Sequence, residues 1–371
     1  MSGFVLPPYP YDRLDPLKAV AAEHEGGIVD LSVGTPTDPP PTAVVEALAG
    51  SGAERGYPPS IGTPALREAA SEWMDRRLGV QIDAGQVAAT IGSKEMVAGL
   101  PHWLRLRRPE RDTVLYPEVS YPSYAMGAEL AGCRPVPVPA AADGSIDLDR
   151  VDDADAARAL CLWVNTPGNP AGALDDLEAA AEWGRRHEVP VISDECYAEF
   201  TWDGAPRTIL AAGAEGVLAV HSLSKRSNLA GVRVGFYAGD ADLVRWVSEV
   251  RKHAGFMCPG PAQAAAVAAL ADQAHVNDQR DRYRRRLERM RSVLATLGVD
   301  AELPRGGFYL FPRVPGGDAW AFTERLARDL GVLVSPGEFY GRAAADRVRI
   351  AVVRPDEAYD LVERRLEAAA A

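Results

Sequence analysis

Between residues 87 and 222, short apolar runs of strand length alternate with stretches of helical period. Residues 87–91, 113–116, 159–164, 189–193 and 217–222 are apolar almost without interruption, so each is expected to be covered on both faces. Helices are expected to open at Gly92-Ser93-Lys94-Glu95 and to cover 124–131 and 174–187. Residues 135–139 alternate proline with valine, which confines that strand to a sheet edge. The alternation predicts an α/β fold with a mainly parallel central sheet sandwiched by helices. Upstream, 4–12 holds three prolines and reads as an extended arm, with a helix over 14–24, a strand over 28–33 and a helix over 42–49. Thr63 as cap and Pro64 in the first turn open another helix. Beyond Pro259-Gly260-Pro261 the pattern changes to one long helical region over 262–297, strands over 307–311 and 348–352, and a helix over 320–330. This reads as a smaller α+β domain, completed by the N-terminal arm.

Composition narrows the function. At 371 residues the chain has room for about two domains. A net charge of -12 speaks against general nucleic-acid binding, which clustered Lys and Arg drive. The basic run 282–291 is interrupted by Tyr283, Leu287 and Met290 at helical spacing and reads as a solvated helix face. No apolar run of ~18 residues could span a bilayer. Met1-Ser2-Gly3-Phe4 has no basic segment leading into an apolar one, so the expected location is the cytoplasm. Cys133, Cys161, Cys196 and Cys258 form no C-x-x-C pair and read as small buried residues. The scattered histidines give no metal motif, and there is no G-x-S-x-G elbow.

The candidate chemistry sits at the ends of the apolar runs. Ala219-Val220-His221-Ser222-Leu223-Ser224-Lys225 places a lysine just behind a strand, and Arg233 follows in Gly231-Val232-Arg233-Val234-Gly235. Such a lysine is what an enzyme needs to hold pyridoxal phosphate as a Schiff base. Ser222, Ser224 and Arg233 add two hydroxyls and a permanent cation suited to the phosphate. The run 189–193 delivers Asp194 at its C-terminal end, where ligands bind in open parallel sheets. A carboxylate there could keep a pyridine nitrogen protonated, and Tyr197 could reach the ring's phenolic oxygen. Capping of the next turn is the alternative role for Asp194. Gly92-Ser93-Lys94, between a strand and a helix, favours an anion through backbone N–H groups and the helix dipole. Glycine and serine also occupy such turns for conformational reasons alone.

These segments, with Asn165-Thr166-Pro167-Gly168-Asn169-Pro170-Ala171-Gly172 and Ser193-Asp194-Glu195-Cys196-Tyr197, resemble in order and spacing the fold type I pyridoxal-phosphate aminotransferases of classes I and II. The resemblance covers essentially the whole chain. It implies 1–45 as N-terminal arm and part of the small domain, 46–265 as the large cofactor-binding domain and 266–371 as the C-terminal small domain. It also implies roles. Lys225 would form the Schiff base and move the proton between the substrate Cα and the cofactor. Asp194 would pair with the ring nitrogen, Asn169 and Tyr197 with the phenolic oxygen, and Tyr121 would stack on the ring. Ser93, Lys94, Ser222, Ser224 and Arg233 would hold the phosphate. Tyr57 would reach the phosphate of a neighbouring subunit, implying a homodimer with shared sites. Arg349 would clamp the substrate α-carboxylate, helped by a backbone contact from Gly34, although an exposed strand arginine is the plainer reading of that position.

A narrower likeness lies in His221 to Gly231, Arg251 to Pro261 and Ser335-Pro336-Gly337-Glu338-Phe339-Tyr340-Gly341, which are similar to actinobacterial N-succinyldiaminopimelate aminotransferases. That likeness implies glutamate as donor and an acceptor keto acid with a long acidic side chain, whose distal carboxylate Arg354, Arg305 or Arg13 would meet. The partners expected are therefore small amino and keto acids, with no nucleic acid, no membrane and no metal. Because one fold can expose different bonds over one ring, elimination, γ-replacement or cyclisation in a specialised pathway is the alternative reaction. A non-catalytic regulator would not be expected to keep Lys225, Asp194, Asn169, Tyr197 and Arg233 together.

Overall fold

The computed structural model describes residues 4 and 6–370. Met1 to Gly3, Val5 and Ala371 lie outside the described residues, and with them part of the expected arm. In chain order come α1 (Asp15–Ala22), β1 (Val29–Asp30), α2 (Thr42–Ala49), α3 (Pro64–Leu78), β2 (Val87–Thr90), α4 (Ser93–Arg107), β3 (Thr113–Pro117), α5 (Ser123–Leu130) and β4 (Arg134–Val138). Next are α6 (Asp153–Arg158), β5 (Ala159–Asn165), α7 (Leu177–His187), β6 (Val191–Asp194), β7 (Val217–Ser222), α8 (Leu223–Arg226), β8 (Gly235–Gly239) and α9 (Ala241–His253). The chain ends with α10 (Gly260–Ala271), α11 (Ala274–Thr296), β9 (Tyr309–Leu310), α12 (Ala319–Leu330), β10 (Val332–Leu333), β11 (Ser335–Pro336), β12 (Val348–Ala351) and α13 (Asp356–Ala370).

Two compact units result, one made of Thr35–Arg282 with Pro304–Gly307 and the other of Met1–Gly34, Tyr283–Leu303 and Phe308–Ala371. In the larger unit seven strands form one sheet in the order β2-β8-β7-β6-β5-β3-β4. From β4 through β7 all neighbours are parallel, whereas β8 runs antiparallel to both β2 and β7. Leu162, Val164, Ala219 and Phe236 enter one core with Leu66, Trp73 and Ala265. Cys161, Trp163, Val220 and Tyr237 enter the core on the other face with Met96, Trp103 and Val247. Successive strand residues thus supply opposite cores, which is why the runs are apolar throughout. β2 is antiparallel to β8, and β8 to β7, so β2 runs the same way as β7. The C-terminal ends of β2, β3, β5, β6 and β7 therefore share one edge, and there the chain places Gly92, Asn165, Asp194 and Ser222.

Several boundaries differ from expectation. The units divide at 34/35 and 282/283 rather than at 45/46 and 265/266. The reason is that α10 packs on α2 and α3, holding all three in the larger unit. The helical region 262–297 is two helices, because Asp272 Oδ1 accepts the amide of Ala274 at 2.8 Å and caps a new start. Residues 10–14 form a 3-10 turn where an extended arm was expected. The strands expected over 28–33 and 307–311 are only two residues long. α7 starts at Leu177, not 174, because Asp176 is its cap and accepts the amide of Ala179 at 3.0 Å. The opening of α3 is as read, with Thr63 Oγ1 accepting the Leu66 amide at 3.3 Å.

In the smaller unit β1 pairs with β10 in parallel, and β11-β12-β9 form an antiparallel sheet. The basic run is not wholly solvated. Arg286 is buried and its Nε lies 2.6 Å from Asp356, while Arg289 reaches Asp360 at 2.6 Å and Glu363 at 2.7 Å. The acidic face of α13 accounts for this, since it neutralises the arginines that α11 turns toward it.

Candidate active site

The first part of the site is a cradle for an anion at the start of α4. Gly92 precedes the helix with φ 70° and ψ 163°, a backbone state essentially restricted to glycine. A Cβ at that position would overlap the Arg233 guanidinium, lying 2.6 Å from Cζ and 2.9 Å from Nη1. The missing side chain is what lets Arg233 lie against the first turn. Arg233, itself at φ 61°, is anchored by its Nη1 donating to the Ala230 carbonyl at 2.9 Å and to Ser224 Oγ at 3.4 Å. Ser222 Oγ caps α8 by accepting the Ser224 amide at 3.2 Å. Glu95 secures the turn from inside, accepting the Ile91 amide at 2.8 Å and Arg251 Nη1 at 2.6 Å. Ser93 is half-buried and the Lys94 side chain is exposed, so both can offer backbone N–H groups at a helix N-terminus.

The second part is Asp194. Its Oδ2 accepts the Tyr124 hydroxyl at 2.8 Å and its Oδ1 accepts the Cys196 amide at 3.2 Å. The turn-capping role is thus real. Burial raises the Asp194 carboxyl above its ordinary range, offset by hydrogen bonds from Cys196 and Tyr124 and by the nearby Lys225 charge. A buried carboxylate of this kind is stabilised by a cation set against it. Lys225 is half-buried in the α8 turn, one strand away from Asp194. Asn169 is buried, its amide donating to Asn165 Oδ1 at 2.8 Å, and Tyr197 is buried just after Asp194. Tyr121 stands edge-on to Tyr124 with ring centroids 6.1 Å apart. Tyr57 is 96% exposed on this chain.

The smaller unit holds a polar cluster of its own. Arg349 is buried between two tyrosine rings, 4.5 Å from the centroid of Tyr309 and 4.6 Å from that of Tyr340. Its Nη2 donates to the Ser32 carbonyl at 2.6 Å and to the Tyr11 hydroxyl at 3.2 Å, and Tyr11 and Tyr340 share a hydrogen bond of 2.7 Å. Arg349 is therefore no exposed strand arginine. Gly34 belongs to the same cluster, since a Cβ there would overlap the Tyr309 hydroxyl. Among the three distal cations considered, Arg13 bonds Glu338 at 2.7 Å, and Arg305 lies 3.2 Å from Asp143 and 3.3 Å from Asp203. Arg354 is half-buried five residues beyond Arg349.

Sequence reading overlooked Tyr124, Cys196, Tyr11, Tyr309 and Tyr340. Tyr124 had a local signal, sitting three residues after Tyr121 at the start of α5. Cys196 follows Asp194 by two residues and so was adjacent in the sequence, whereas Tyr11, Tyr309 and Tyr340 come together around Arg349 only through tertiary packing. All four cysteines are buried and unbridged. Among the described residues no cluster of three or more His, Cys, Asp or Glu could hold a metal, and no helix is long and apolar enough to cross a membrane.

The residues present fit pyridoxal 5'-phosphate: a cradle that a Cβ would fill for its phosphate, a buried carboxylate for its ring nitrogen, and a lysine between them. The family model for aminotransferase class I and II matches residues 26–364. The chain is 42% identical to 4-dedimethylamino-4-oxo-anhydrotetracycline transaminase OxyQ of Streptomyces rimosus, over 97% of this chain and 99% of that one. It is 35% identical to the LL-diaminopimelate aminotransferase of Desulforudis audaxviator, over 94% and 92% of the two chains. Among solved structures, a probable N-succinyldiaminopimelate aminotransferase of Thermus thermophilus superposes with a TM-score of 0.87 at 34% identity, covering 96% of this chain and 99% of that one.

Proposed function

The chain belongs to the class I and II aminotransferases, which depend on pyridoxal 5'-phosphate, and on that premise we propose that it moves an amino group between L-glutamate and a keto acid with a long acidic side chain, of the N-succinyldiaminopimelate kind. The observation that carries this reading is the Arg349 seat, a buried guanidinium within 4.6 Å of two tyrosine ring centroids, a group suited to a bidentate bond with a carboxylate. Relatives named for diaminopimelate and N-succinyldiaminopimelate support the acceptor class.

When bound, the cofactor supplies an electron sink for the pair left at the substrate Cα. The chain's own residues do the rest. Lys225 would hold the cofactor through Nζ and, once displaced, its Nζ would take up and return the proton of the substrate Cα. Asp194 would pair with the ring nitrogen. Asn169 and Tyr197 would bond the phenolic oxygen, and Tyr121 would stack on the ring. Backbone N–H groups of Ser93 and Lys94, the Ser222 and Ser224 hydroxyls and the Arg233 guanidinium would hold the phosphate. Gly34 adds a backbone contact to the carboxylate held by Arg349. Tyr57, exposed on one chain, serves the phosphate of a second copy in a cytoplasmic homodimer.

The test is the half-reaction. L-glutamate added to purified holoenzyme without acceptor should release 2-oxoglutarate in proportion to enzyme and change the visible spectrum. Succinylated amino-keto-pimelate should then restore it. The OxyQ relative, named as a transaminase, favours a second reading, transamination in a specialised pathway with a different donor or acceptor. An unchanged spectrum with glutamate would favour that second reading.

A further inference from the structure

Beneath the edge that carries Asp194 and Lys225 lies a buried pair that no step above uses. The Glu195 side chain is completely buried and that of His221 is 4% exposed. Glu195 Oε1 accepts the Ile209 amide at 2.8 Å. Its Oε2 faces His221 Nε2 at 3.3 Å, and neither atom has another hydrogen-bonding partner among the described residues. A small cavity of about 10 Å³, at the lower limit for one water, is lined by both together with Trp73, Cys196, Ser222 and Phe236. Trp73 meets the imidazole edge-on at 5.0 Å and Phe236 lies 4.9 Å from it, so the pair is walled by aromatic rings.

The position of the pair is what gives it a role. Glu195 directly follows Asp194, and His221 directly precedes Ser222, four residues before Lys225. Asp194 and Val220 are register partners, and the Glu195 amide donates to the Val220 carbonyl at 2.9 Å. The Glu195–His221 contact therefore links the ends of β6 and β7 where the two proposed cofactor-holding groups emerge. We infer that Glu195 and His221 form a one-proton staple, a positioning pair that fixes the spacing of Asp194 and Lys225 as long as a proton lies between the carboxyl and the imidazole.

Electrostatics agree with a single shared proton. Burial drives the His221 imidazole down to about 3 and the Glu195 carboxyl up to about 7, so the neutral pair is favoured and the proton sits on Glu195. The groups facing the pair oppose burial only in part. Asp194 and Cys196 flank Glu195 on its own segment, and the Ser193 and Thr208 hydroxyls beside it favour its charged form. Glu199 favours a charged His221, but it is itself engaged by Arg226 of α8 at 3.3 Å and Arg77 of α3 at 3.0 Å, one carboxylate against two guanidiniums. His221 also bonds the backbone of Glu195 through its other ring nitrogen, which holds the single N–H of the neutral imidazole there. Loss of the shared proton would then leave Nε2 and Oε2 as two acceptors opposed at 3.3 Å, with a second negative charge next to Asp194.

The sign follows from linkage. A carboxyl whose value rises on folding stabilises the fold below its ordinary range of about 4.3, and that contribution is lost as pH rises through about 7. His221 acts in the opposite sense, its contribution being lost as pH falls below the ordinary histidine range. Comparing native holoenzyme with Glu195→Gln, in which His221 is retained, isolates the carboxyl. Glu195→Gln should gain on the native protein as pH rises from 5 to 8, the gap in melting temperature widening by roughly 3–6 °C. Infrared titration of the native protein should show a protonated-carboxyl band that disappears near neutral pH and is missing from Glu195→Gln. Cofactor release should accelerate several-fold from pH 6 to 8.5 in the native protein and stay level in the variant.

A constant melting gap, or a variant that melts below the native protein at pH 6 as if an ion pair had been lost, would overturn the staple. If Glu195→Gln does not fold, the infrared titration of native enzyme decides alone, and no carboxyl band with a midpoint near neutrality overturns it. Only the spacing role rests on the cofactor reading. A chain that binds no pyridoxal phosphate would refute that reading and leave the infrared and melting results to test the proton.

Discussion

Gly92→Ala tests the anion cradle with a single methyl group. Two costs follow from the structure and act on different quantities. The backbone at φ 70° and ψ 163° is strained for alanine by about 1–3 kcal/mol. That cost is present with and without ligand, so it lowers the melting temperature and leaves the dissociation constant untouched. The second cost is displacement of the Arg233 guanidinium, whose Cζ would stand 2.6 Å from the new Cβ. Moving it removes one charge-assisted bond to phosphate, worth about 1.5–3 kcal/mol, or roughly 10- to 100-fold in cofactor affinity. The assay is titration of cofactor-free protein with pyridoxal phosphate, run beside Arg233→Ala and the double variant. Because both changes act through one guanidinium, the double variant should bind no more weakly than Arg233→Ala alone. Unchanged affinity in Gly92→Ala, or fully additive losses in the double variant, would refute the cradle as the phosphate seat.

Lys225→Ala should abolish turnover and the visible absorbance of the bound cofactor, and undiminished turnover would remove the basis of the proposed chemistry. Arg349→Ala should raise KM for every amino-acid substrate by at least about 10-fold, since a charge-assisted bond is lost, and unchanged KM values would show that the buried guanidinium does not clamp the carboxylate. Mixing inactive Tyr57→Ala and Lys225→Ala subunits should restore some activity if Tyr57 serves a second copy, whereas a mixture as inactive as its components would place each site on one chain.

The sheet edge that gathers Gly92, Asp194 and Ser222 was legible because these residues sit at the ends of apolar runs. Asp194 and Ser222 end, and Gly92 soon follows, a strand that enters two cores, and that double burial is written in the composition of the run. β8 was not legible. Its Gly-Phe-Tyr-Ala-Gly sequence has no β-branched residue, and Gly235 is small because a Cβ would stand 2.8 Å from Thr90 Oγ1 on a neighbouring strand. α9 did carry a signal, Asp240, whose Oδ1 accepts the Asp242 and Leu243 amides at 2.9 Å each. The break between α10 and α11 was masked because alanine supports a helix on either side of Asp272. The unit boundaries, the Tyr124 bond to Asp194 and the aromatic seat of Arg349 depend on contacts between distant segments, which periodicity does not encode. The individual roles of Asn169, Tyr57 and Arg349 came from family resemblance, for nothing in their local sequence distinguishes them from loop or strand residues.

Gly34 and Gly92 use the same device for different ligands, each leaving out a Cβ so that a polar side chain can lie against the backbone. At Gly34 the occupant is Tyr309, whose hydroxyl would be overlapped by a Cβ lying 2.9 Å from its Cε1 and Cζ. Gly34 is not among the positive-φ positions, so Gly34→Ala carries no backbone strain and acts only by pushing the tyrosine ring. That ring is one of the two plates holding Arg349, with the guanidinium 4.5 Å from its centroid. Tilting it should misalign the guanidinium and raise KM for amino-acid substrates by roughly 10-fold, about the worth of one charge-assisted bond. Affinity for pyridoxal phosphate should not change, because the cradle belongs to the other unit. Gly92→Ala should show the opposite pattern, weakened cofactor affinity with an unchanged KM once cofactor is saturating. Steady-state kinetics at saturating cofactor and cofactor titrations on both variants would separate the two effects. If Gly34→Ala weakened cofactor binding as much as it raised KM, the loss would be one of general packing, and Tyr309 would not be a support of the carboxylate seat.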